Sequence, residues 1–110
     1  MDTLSQTRGD TVSYTFQRKT ASGDVIYTTP ESIYFTLKEN FNSNKIIVQK
    51  DKSNMTKNGA GVWRFTLEHN DTEELPYGVY VWDIQVTDNG AVTTIAKGKL
   101  KLTQEATWKA

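Results

Sequence analysis

The side chains best suited to chemistry gather around the only histidine of the chain. Carboxyl groups follow His69 closely, at Asp71, Glu73 and Glu74. An imidazole beside carboxylates can exchange protons, and the carboxylates can hold a hard cation such as Ca²⁺. The same acidic run is also typical of the solvated start of a helix, where carboxylates complement free N–H groups. Because no second histidine accompanies the run, we expect no catalytic residue, no metal site and no cofactor.

Three short motifs suggest other functions but are interpreted as turns. Arg8-Gly9-Asp10 spells an integrin-binding tripeptide, yet Asp10 leads straight into an alternating, strand-like run. Acceptor patterns for N-glycosylation begin at Asn54 and Asn70, but no secretory signal is visible in the sequence. We therefore expect Gly9 to supply a permissive turn backbone and the other two motifs to form turns and caps.

The composition argues against several classes of function. The chain of 110 residues has no cysteine, so disulfides and thiolate metal sites are excluded. Its 13 basic and 13 acidic residues give zero net charge, which argues against nucleic acid or an anionic membrane as a partner. The start of the sequence is polar, and no apolar run is long enough to span a membrane. We expect synthesis in the cytoplasm, without a secretion signal of its own.

Alternation of apolar and polar residues with a period of two dominates the chain and predicts β-strands. An Asn-Gly pair at Asn89 predicts a tight hairpin, and Gly98 predicts a bulge or bend in the last strand. Helical periodicity is confined to one turn over residues 70–75, capped by Asn70 or Asp71. The predicted strands cover residues 12–16, 33–37, 45–50, 63–67, 77–87 and 91–102.

This pattern predicts an all-β protein, an immunoglobulin-like antiparallel β-sandwich of about seven strands. The length fits a single domain over residues 1–110, with a core at about residues 8–103 and loose termini. Trp63 and Trp82 fall in phase with the core residues, whereas Trp108 lies in the C-terminal tail. If the tryptophans instead form a sugar-stacking platform, the domain is a carbohydrate-binding or adhesion module, which is the alternative function.

The segment from Glu68 to Ile84 has the layout of an immunoglobulin-like corner, in which a tyrosine near the start of a strand bonds back to the preceding turn. We expect the Tyr80 hydroxyl to bond a backbone group between Asp71 and Pro76. Trp82 is expected to pack where immunoglobulins place their second cysteine. The residues assigned to this structural corner are Asp71, Thr72, Leu75, Gly78, Tyr80 and Trp82.

Taken in order, the motifs of the chain resemble those of a known structural family. They are Gly9-Asp10-Thr11, Asp71-Thr72, Leu75-Pro76-Tyr77-Gly78, Tyr80-Val81-Trp82-Asp83-Ile84 and a final strand interrupted at Gly98. This set resembles the N-terminal immunoglobulin-like domain of upper-baseplate-type structural proteins in phages of Gram-positive bacteria. The resemblance implies a non-enzymatic assembly module of a phage or prophage tail or baseplate, located in the virion. It also implies other tail or baseplate proteins, or further copies of the chain, as partners, and we expect at most a weak homo-oligomer in isolation.

The surface expected to make those contacts has two parts. Ile46, Ile47 and Val48 lie in a short strand that we expect at the edge of a sheet. Val79 and Val81 lie opposite the core face of their strand, so we expect them to be exposed. The last strand is expected to form a protected edge, because lysines alternate along its second half.

Overall fold

The computed structural model describes residues 2–104, and most of its regular structure is β-strand. Within this range, the helical elements are a 3₁₀ turn, Lys52–Asn54, and one α-helical turn, α1 (His69–Thr72). The strands are β1 Asp2–Thr7, β2 Val12–Gln17, β3 Ser32–Lys38, β4 Val48–Asp51, β5 Thr56–Lys57, β6 Val62–Leu67, β7 Gly78–Asp88 and β8 Ala91–Thr103.

The strands form two sheets that enclose one core. One sheet has five strands in the order β1-β8-β7-β3-β4, and the other has three in the order β2-β6-β5. The prediction of an all-β sandwich is confirmed. Two details differ from expectation: the described residues contain eight strands, and β1 pairs with β8 in parallel. No hairpin joins β1 to β8, so their connection does not impose an antiparallel direction.

The core is built mainly from alternate positions of β3, β6, β7 and β8, as a period of two predicts. Trp63 and Trp82 are both buried, which confirms their assignment to the core. Phe35 links the two sheets, with its ring centroid 4.5 Å from that of Phe65 and 6.1 Å from that of Trp82. The buried apolar cluster comprises Ile33, Phe35, Leu37, Val48, Met55, Trp63, Phe65, Leu67, Tyr80, Trp82, Ile84, Val86, Leu100 and Leu102.

The N-terminal segment belongs to the sheet, so the expectation of a loose start is wrong. Asp2–Thr7 pairs in register with residues 98–103, and Leu4 packs against the core. The alternation of apolar and polar residues does not predict this strand, because Leu4 is its only apolar residue. The expectation of a loose C-terminal tail, which includes Trp108, falls on residues 105–110, outside the described range.

The last strand is irregular at a different residue from the one predicted. The register of β7 and β8 shifts once and leaves Ile95 as the additional residue of a bulge. Gly98 instead lies in regular pairing opposite Trp82, whose indole N–H donates to the Lys99 carbonyl at 3.1 Å. The indole is therefore held by the backbone of β8.

The tip of the β7–β8 hairpin is the predicted Asn-Gly turn. Asn89 and Gly90 have φ angles of 50° and 80°. Two successive residues in this left-handed region give the turn whose twist matches the flanking strands. The local sequence therefore sets the register in which β7 and β8 begin to pair.

The edges of the five-stranded sheet agree with expectation only in part. β4 forms one edge, as predicted, but the strand begins at Val48 rather than Lys45. The last strand is not the other edge along its whole length, because β1 covers residues 98–103. Only Lys97, of the three lysines expected to protect that edge, lies on the uncovered half of β8.

Candidate interaction surface at the corner

The connection from β6 to β7 starts with the helical turn α1. It begins at His69, one residue earlier than predicted, and its N-cap is Glu68 rather than Asn70 or Asp71. Asp71 still contributes, because its carboxylate accepts the backbone N–H of Glu68 at 2.7 Å. A side chain in the third helical position can reach back to the cap residue in this way, so the acidic run marks the turn but not its first residue.

The turn between β1 and β2 is bound to this connection. Thr72 is fully buried, and its hydroxyl accepts the backbone N–H of Gly9 at 2.9 Å. His69 Nδ1 donates to the Gly9 carbonyl at 2.6 Å, and the Arg8 guanidinium donates to the Leu75 carbonyl at 3.3 Å. Gly9 has a φ of +82°, a conformation that favours glycine. The integrin-like tripeptide is therefore a turn, as predicted, and its backbone is engaged by the corner.

The corner tyrosine makes the predicted bond. The Tyr80 hydroxyl donates to the Pro76 carbonyl at 2.6 Å, inside the expected segment. Burial raises the pKa of Tyr80, and the Glu39 carboxylate adds to this shift. The backbone N–H of Leu75 donates to the Thr72 carbonyl at 3.0 Å. Together these bonds fix the direction in which the chain enters β7.

The carboxylates of the acidic segment contact structural partners. Nε2 of His69 lies 2.5 Å from the Glu73 carboxylate, while its other ring nitrogen holds the Gly9 carbonyl. Asp71 forms an ion pair with Lys50 at 2.8 Å. Within residues 2–104, no group of three or more His, Cys, Asp or Glu side chains is placed to hold a metal ion. In this arrangement the imidazole and the carboxylates attach α1 to its neighbours.

Lys50 also protects the β4 edge of the sheet against pairing with a further strand. Lys50 lies directly opposite Phe35, so its side chain points toward the other sheet. The Lys50 and Asp71 side chains are 17% and 19% exposed. An inward-pointing charge on an edge strand disfavours the addition of another strand. β4 is therefore a poorer contact edge than the sequence of residues 46–50 suggests.

The five residues predicted to form an interface divide into three groups by exposure. Ile46 and Val79 are exposed, at 47% and 54%. Ile47 is half-buried and packs against the core. Val48 and Val81 are buried, so the expectation that Val81 is exposed is wrong. A contact of Ile46 and Val79 with a partner stays a prediction.

Different contacts bury the two valines. Val48 lies on the inward face of the sheet, opposite Leu37, and so belongs to the core. Val81 faces outward, but it lines a cleft of about 240 Å³ together with Phe41 and Ile46. These two residues belong to the connection between β3 and β4, which folds over this part of the outer face. Alternation along β7 predicts the direction of Val81 but not this cover.

The exposed members of the set line a groove, here called the corner groove. It has a volume of about 520 Å³ and lies between the β3–β4 connection and the start of β7. Its apolar walls include Ile46, Ile47, Leu75, Tyr77, Val79 and Tyr80. Glu39 and Lys45 add one charge of each sign. Tyr77 is 43% exposed, and the Arg8 guanidinium lies 4.1 Å from the centre of its ring.

Sequence patterns identify neither the exposed aromatic residue of the corner groove, Tyr77, nor that of the neighbouring cleft, Phe41. Tyr77 follows Pro76 and precedes the first residue of β7, and Phe41 lies in the β3–β4 connection. Both side chains are exposed. The one available signal is an aromatic residue in a connecting segment, where no neighbouring strand is positioned to bury it.

Comparisons with known proteins support the fold. No protein family matches the chain, and no curated protein matches its sequence. Among solved structures, the endo-β-1,4-mannanase from Thermotoga petrophila is similar, with a TM-score of 0.64 at 15% identity. The match covers 96% of this chain but only 18% of the mannanase. CopC from Methylosinus trichosporium OB3b matches with a TM-score of 0.42 at 15% identity, over 74% of this chain and 71% of CopC.

The likeness to part of the mannanase concerns the fold alone and does not establish an enzymatic activity here. These comparisons do not test the baseplate resemblance, which stays a prediction. In the described part of the chain, no helix is long and apolar enough to cross a membrane.

Proposed function

We propose that this domain is a non-enzymatic binding module that joins a protein assembly through its corner groove. The observation that carries the proposal is the convergence of three exposed apolar side chains, Ile46, Tyr77 and Val79, on one groove. Contiguous apolar surface on a small domain is typical of a protein contact. The resemblance to phage baseplate domains supports a phage or prophage tail as the assembly and a neighbouring tail protein as the partner.

The polar contacts of the corner hold one wall of the groove in place. The bond from Tyr80 to the Pro76 carbonyl fixes the chain on either side of Tyr77. Arg8 donates to the Leu75 carbonyl and also lies over the Tyr77 ring. A surface that is fixed before binding loses less conformational entropy when a partner docks. The groove is therefore suited to a lasting structural contact.

The lining of the groove defines the chemistry of the partner. Apolar side chains dominate, with Glu39 and Lys45 as the charged groups. A protein segment that inserts one or two apolar side chains, and carries one charge of each sign beside them, fits this surface. In such a contact Ile46 and Val79 form the apolar centre, and Tyr77 offers a rigid aromatic face.

Carbohydrate binding is the weaker alternative. Sugar stacking needs exposed aromatic faces, and both tryptophans of the described residues, Trp63 and Trp82, are buried. The aromatic ring pairs of the described chain join residues that are buried or half-buried. They involve Tyr14, Phe16, Phe35, Phe65 and Trp82. The groove itself presents a single well-exposed ring, that of Tyr77, which favours a protein partner over a sugar.

A charge placed in the groove tests the proposal against a matched control. Val79→Lys puts an ammonium group in the apolar lining, whereas Val92→Lys puts one at the opposite end of the β7–β8 hairpin. The two valines are 54% and 63% exposed, so we expect both variants to fold. The measurement is calorimetric titration of each variant with the purified neighbouring tail proteins of the same phage.

We expect Val79→Lys to weaken binding by about 30-fold or more, as for a central interface residue. Val92→Lys should bind like the parent. If the folded Val79→Lys variant binds as tightly as the parent, or if the parent binds none of these tail proteins, the proposed function is wrong.

A further inference from the structure

The half of β8 that β1 leaves uncovered is an open strand edge. β7 pairs with β8 along its whole length, whereas β1 pairs only with residues 98–103. Residues 91–97, here called the free edge, therefore have no strand on their outer side within the described residues 2–104. The outward backbone N–H and C=O groups of such an edge form an unpaired ladder, which is a template for another strand.

The free edge carries few of the features that protect natural sheet edges. Its sequence, A-V-T-T-I-A-K, has no proline and a single charge, at Lys97. β-Branched residues dominate it, and Val92 is 63% exposed. The bulge at Ile95 is its one irregularity. The opposite edge differs, because β4 has four residues and points Lys50 inward.

The inner side of the free edge is open as well. Thr93 and Ile95 line a cavity of about 480 Å³ together with Ile26 and Val86. Gln17, the last residue of β2, also contributes to the lining, so the cavity lies between the two sheets. Arg18, Lys19 and Asp88 also line the cavity, so a strand that pairs with the free edge gains mainly backbone hydrogen bonds.

Sequence and charge favour a second copy of this chain as the added strand. When two free edges pair antiparallel about Thr93, Val92 of each copy faces Thr94 of the other, and no like charges meet. Lys97 of each copy then lies opposite the uncharged Asn89 of the other, while Asp88 keeps its ion pair with Arg18. Parallel pairing in register would instead place Lys97 beside Lys97, which is unfavourable.

We propose that the domain forms a two-fold symmetric dimer in which two free edges join two five-stranded sheets into one continuous sheet. The paired stretch ends at residue 97, because β1 occupies the edge of β8 from Gly98 onward. So short a contact buries less than the roughly 800 Å² per partner of a stable interface, so the dimer is weak. The free edge and the corner groove lie at opposite ends of the β7–β8 hairpin, and this inference does not depend on the proposed function.

A single introduced cysteine tests the geometry directly, because the chain has no cysteine of its own. Thr93 of one copy lies opposite Thr93 of the other in the proposed dimer, with Cβ atoms about 4.5–5.5 Å apart. That separation is close to the range of a disulfide. We expect Thr93→Cys to crosslink on mild oxidation at least about tenfold faster than Thr15→Cys, an exposed position on β2. Equal rates for the two variants would overturn the proposal.

Sedimentation equilibrium tests the energetics. We expect the parent to show a dimer at high protein concentration, and Val92→Lys to weaken it at least about tenfold by adding a charge to the paired stretch. Val79→Lys should leave the dimer unchanged. Val92→Lys is the test variant here and Val79→Lys the control, whereas in the groove experiment Val79→Lys is the test variant and Val92→Lys the control. Failure of one proposal is therefore distinguishable from failure of the other. A parent that stays monomeric at about 1 mM, or a dimer that only Val79→Lys removes, contradicts the inference.

A pair of proline variants separates loss of the edge from loss of the fold. Neighbouring N–H groups on a strand point to opposite sides. One of the variants Thr93→Pro and Thr94→Pro therefore loses a hydrogen bond to β7. The other loses only an N–H group that points outward from the sheet. We expect one of the two to keep the thermal stability of the parent and to lose the dimer. If both destabilise the fold, the cysteine crosslinking result decides; a stable proline variant that dimerises like the parent overturns the proposal.

Discussion

The two ends of the β7–β8 hairpin are stabilised in different ways. At the corner end, bonds join distant parts of the chain, such as the one from the Gly9 N–H to the Thr72 hydroxyl across 63 positions. At the turn end, a local Asn-Gly turn closes the strands, and the buried Arg18 forms an ion pair with Asp88. Long-range polar bonds act at both ends, since the Arg18–Asp88 pair spans 70 positions. The ends differ in their strand edges, because β1 covers β8 only toward the corner end and the turn end keeps an unpaired edge.

Removing the Thr72 hydroxyl tests the corner end and should have the largest effect. Valine has a similar shape but cannot accept the Gly9 N–H, which then stays partly buried without a partner. We expect a loss of about 1–3 kcal/mol in the free energy of unfolding, measured by chemical denaturation. Thr66→Val is the matched control, because the Thr66 hydroxyl bonds Ser13 at the exposed surface. An equal loss of stability in both variants would show that the bond from Gly9 to Thr72 contributes no more than a hydrogen bond at the exposed surface.

Arg18→Met tests the turn end. Arg18 is 7% exposed and donates to the Thr28 carbonyl at 3.0 Å and to the Asp88 carboxylate. Methionine keeps much of the apolar volume but makes neither bond, so we expect a loss of about 1–2 kcal/mol. Water can reach the remaining Asp88, which keeps the cost below that of breaking a fully buried pair.

The exposed neighbour Lys19 provides the control for this variant, as Lys19→Met. Its denaturation midpoint should match that of the parent. If Arg18→Met loses more free energy of unfolding than Thr72→Val, the polar contacts of the turn end contribute more to stability than those of the corner end, contrary to our expectation.

Tyr80→Phe sharpens the account of the corner end. The variant removes the hydroxyl that donates to the Pro76 carbonyl. Pro76 is exposed, so water can replace the lost donor, and we expect a loss of about 0.5–1.5 kcal/mol. Tyr34→Phe, at an exposed tyrosine of β3, is the control. An unchanged denaturation midpoint for Tyr80→Phe would contradict the structural role of the corner bond.

The smallest effect concerns alkaline pH. Burial raises the pKa of Tyr14 and Tyr80 above the ordinary tyrosine value of about 10. The unfolded chain loses these protons first and then binds fewer protons than the folded protein, so the free energy of unfolding falls as pH rises. The stabilisation is complete below pH of about 10 and is lost through the folded-state pKa.

Urea unfolding of the parent and of Tyr80→Phe, at neutral pH and above about pH 10, measures this slope. The variant should lose less stability than the parent between the two conditions. The exposed Tyr27 provides a control as Tyr27→Phe, which should follow the parent. Identical slopes for all three proteins would exclude a contribution of Tyr80.

Local signals account for most of what the sequence predicts correctly. The period of two locates the long strands, the Asn-Gly pair at Asn89 locates the hairpin turn, and Tyr80 locates the corner bond. Each of these signals depends on a few neighbouring residues and on backbone preferences that tertiary contacts do not override.

Local signals do not predict features that depend on contacts between distant parts of the chain. Val79 and Val81 share one alternation, but only Val81 lines a cleft beneath the β3–β4 connection with Phe41. No periodicity encodes where that connection folds. In the same way β1, with Leu4 as its only apolar residue, is held by pairing with the last strand of the domain. The corner groove exists only where two separate connections meet, so its lining is not readable from either one.

The parallel pairing of β1 with β8 has a mechanical consequence. Because the two strands run in the same direction, pulling the start of β1 and the end of β8 apart loads their ladder in shear. The hydrogen bonds between Asp2–Thr7 and residues 98–103 then carry the force together, rather than opening one after another as in an unzipping hairpin. A domain tethered in series through these strands resists stretching until the whole ladder slips at once.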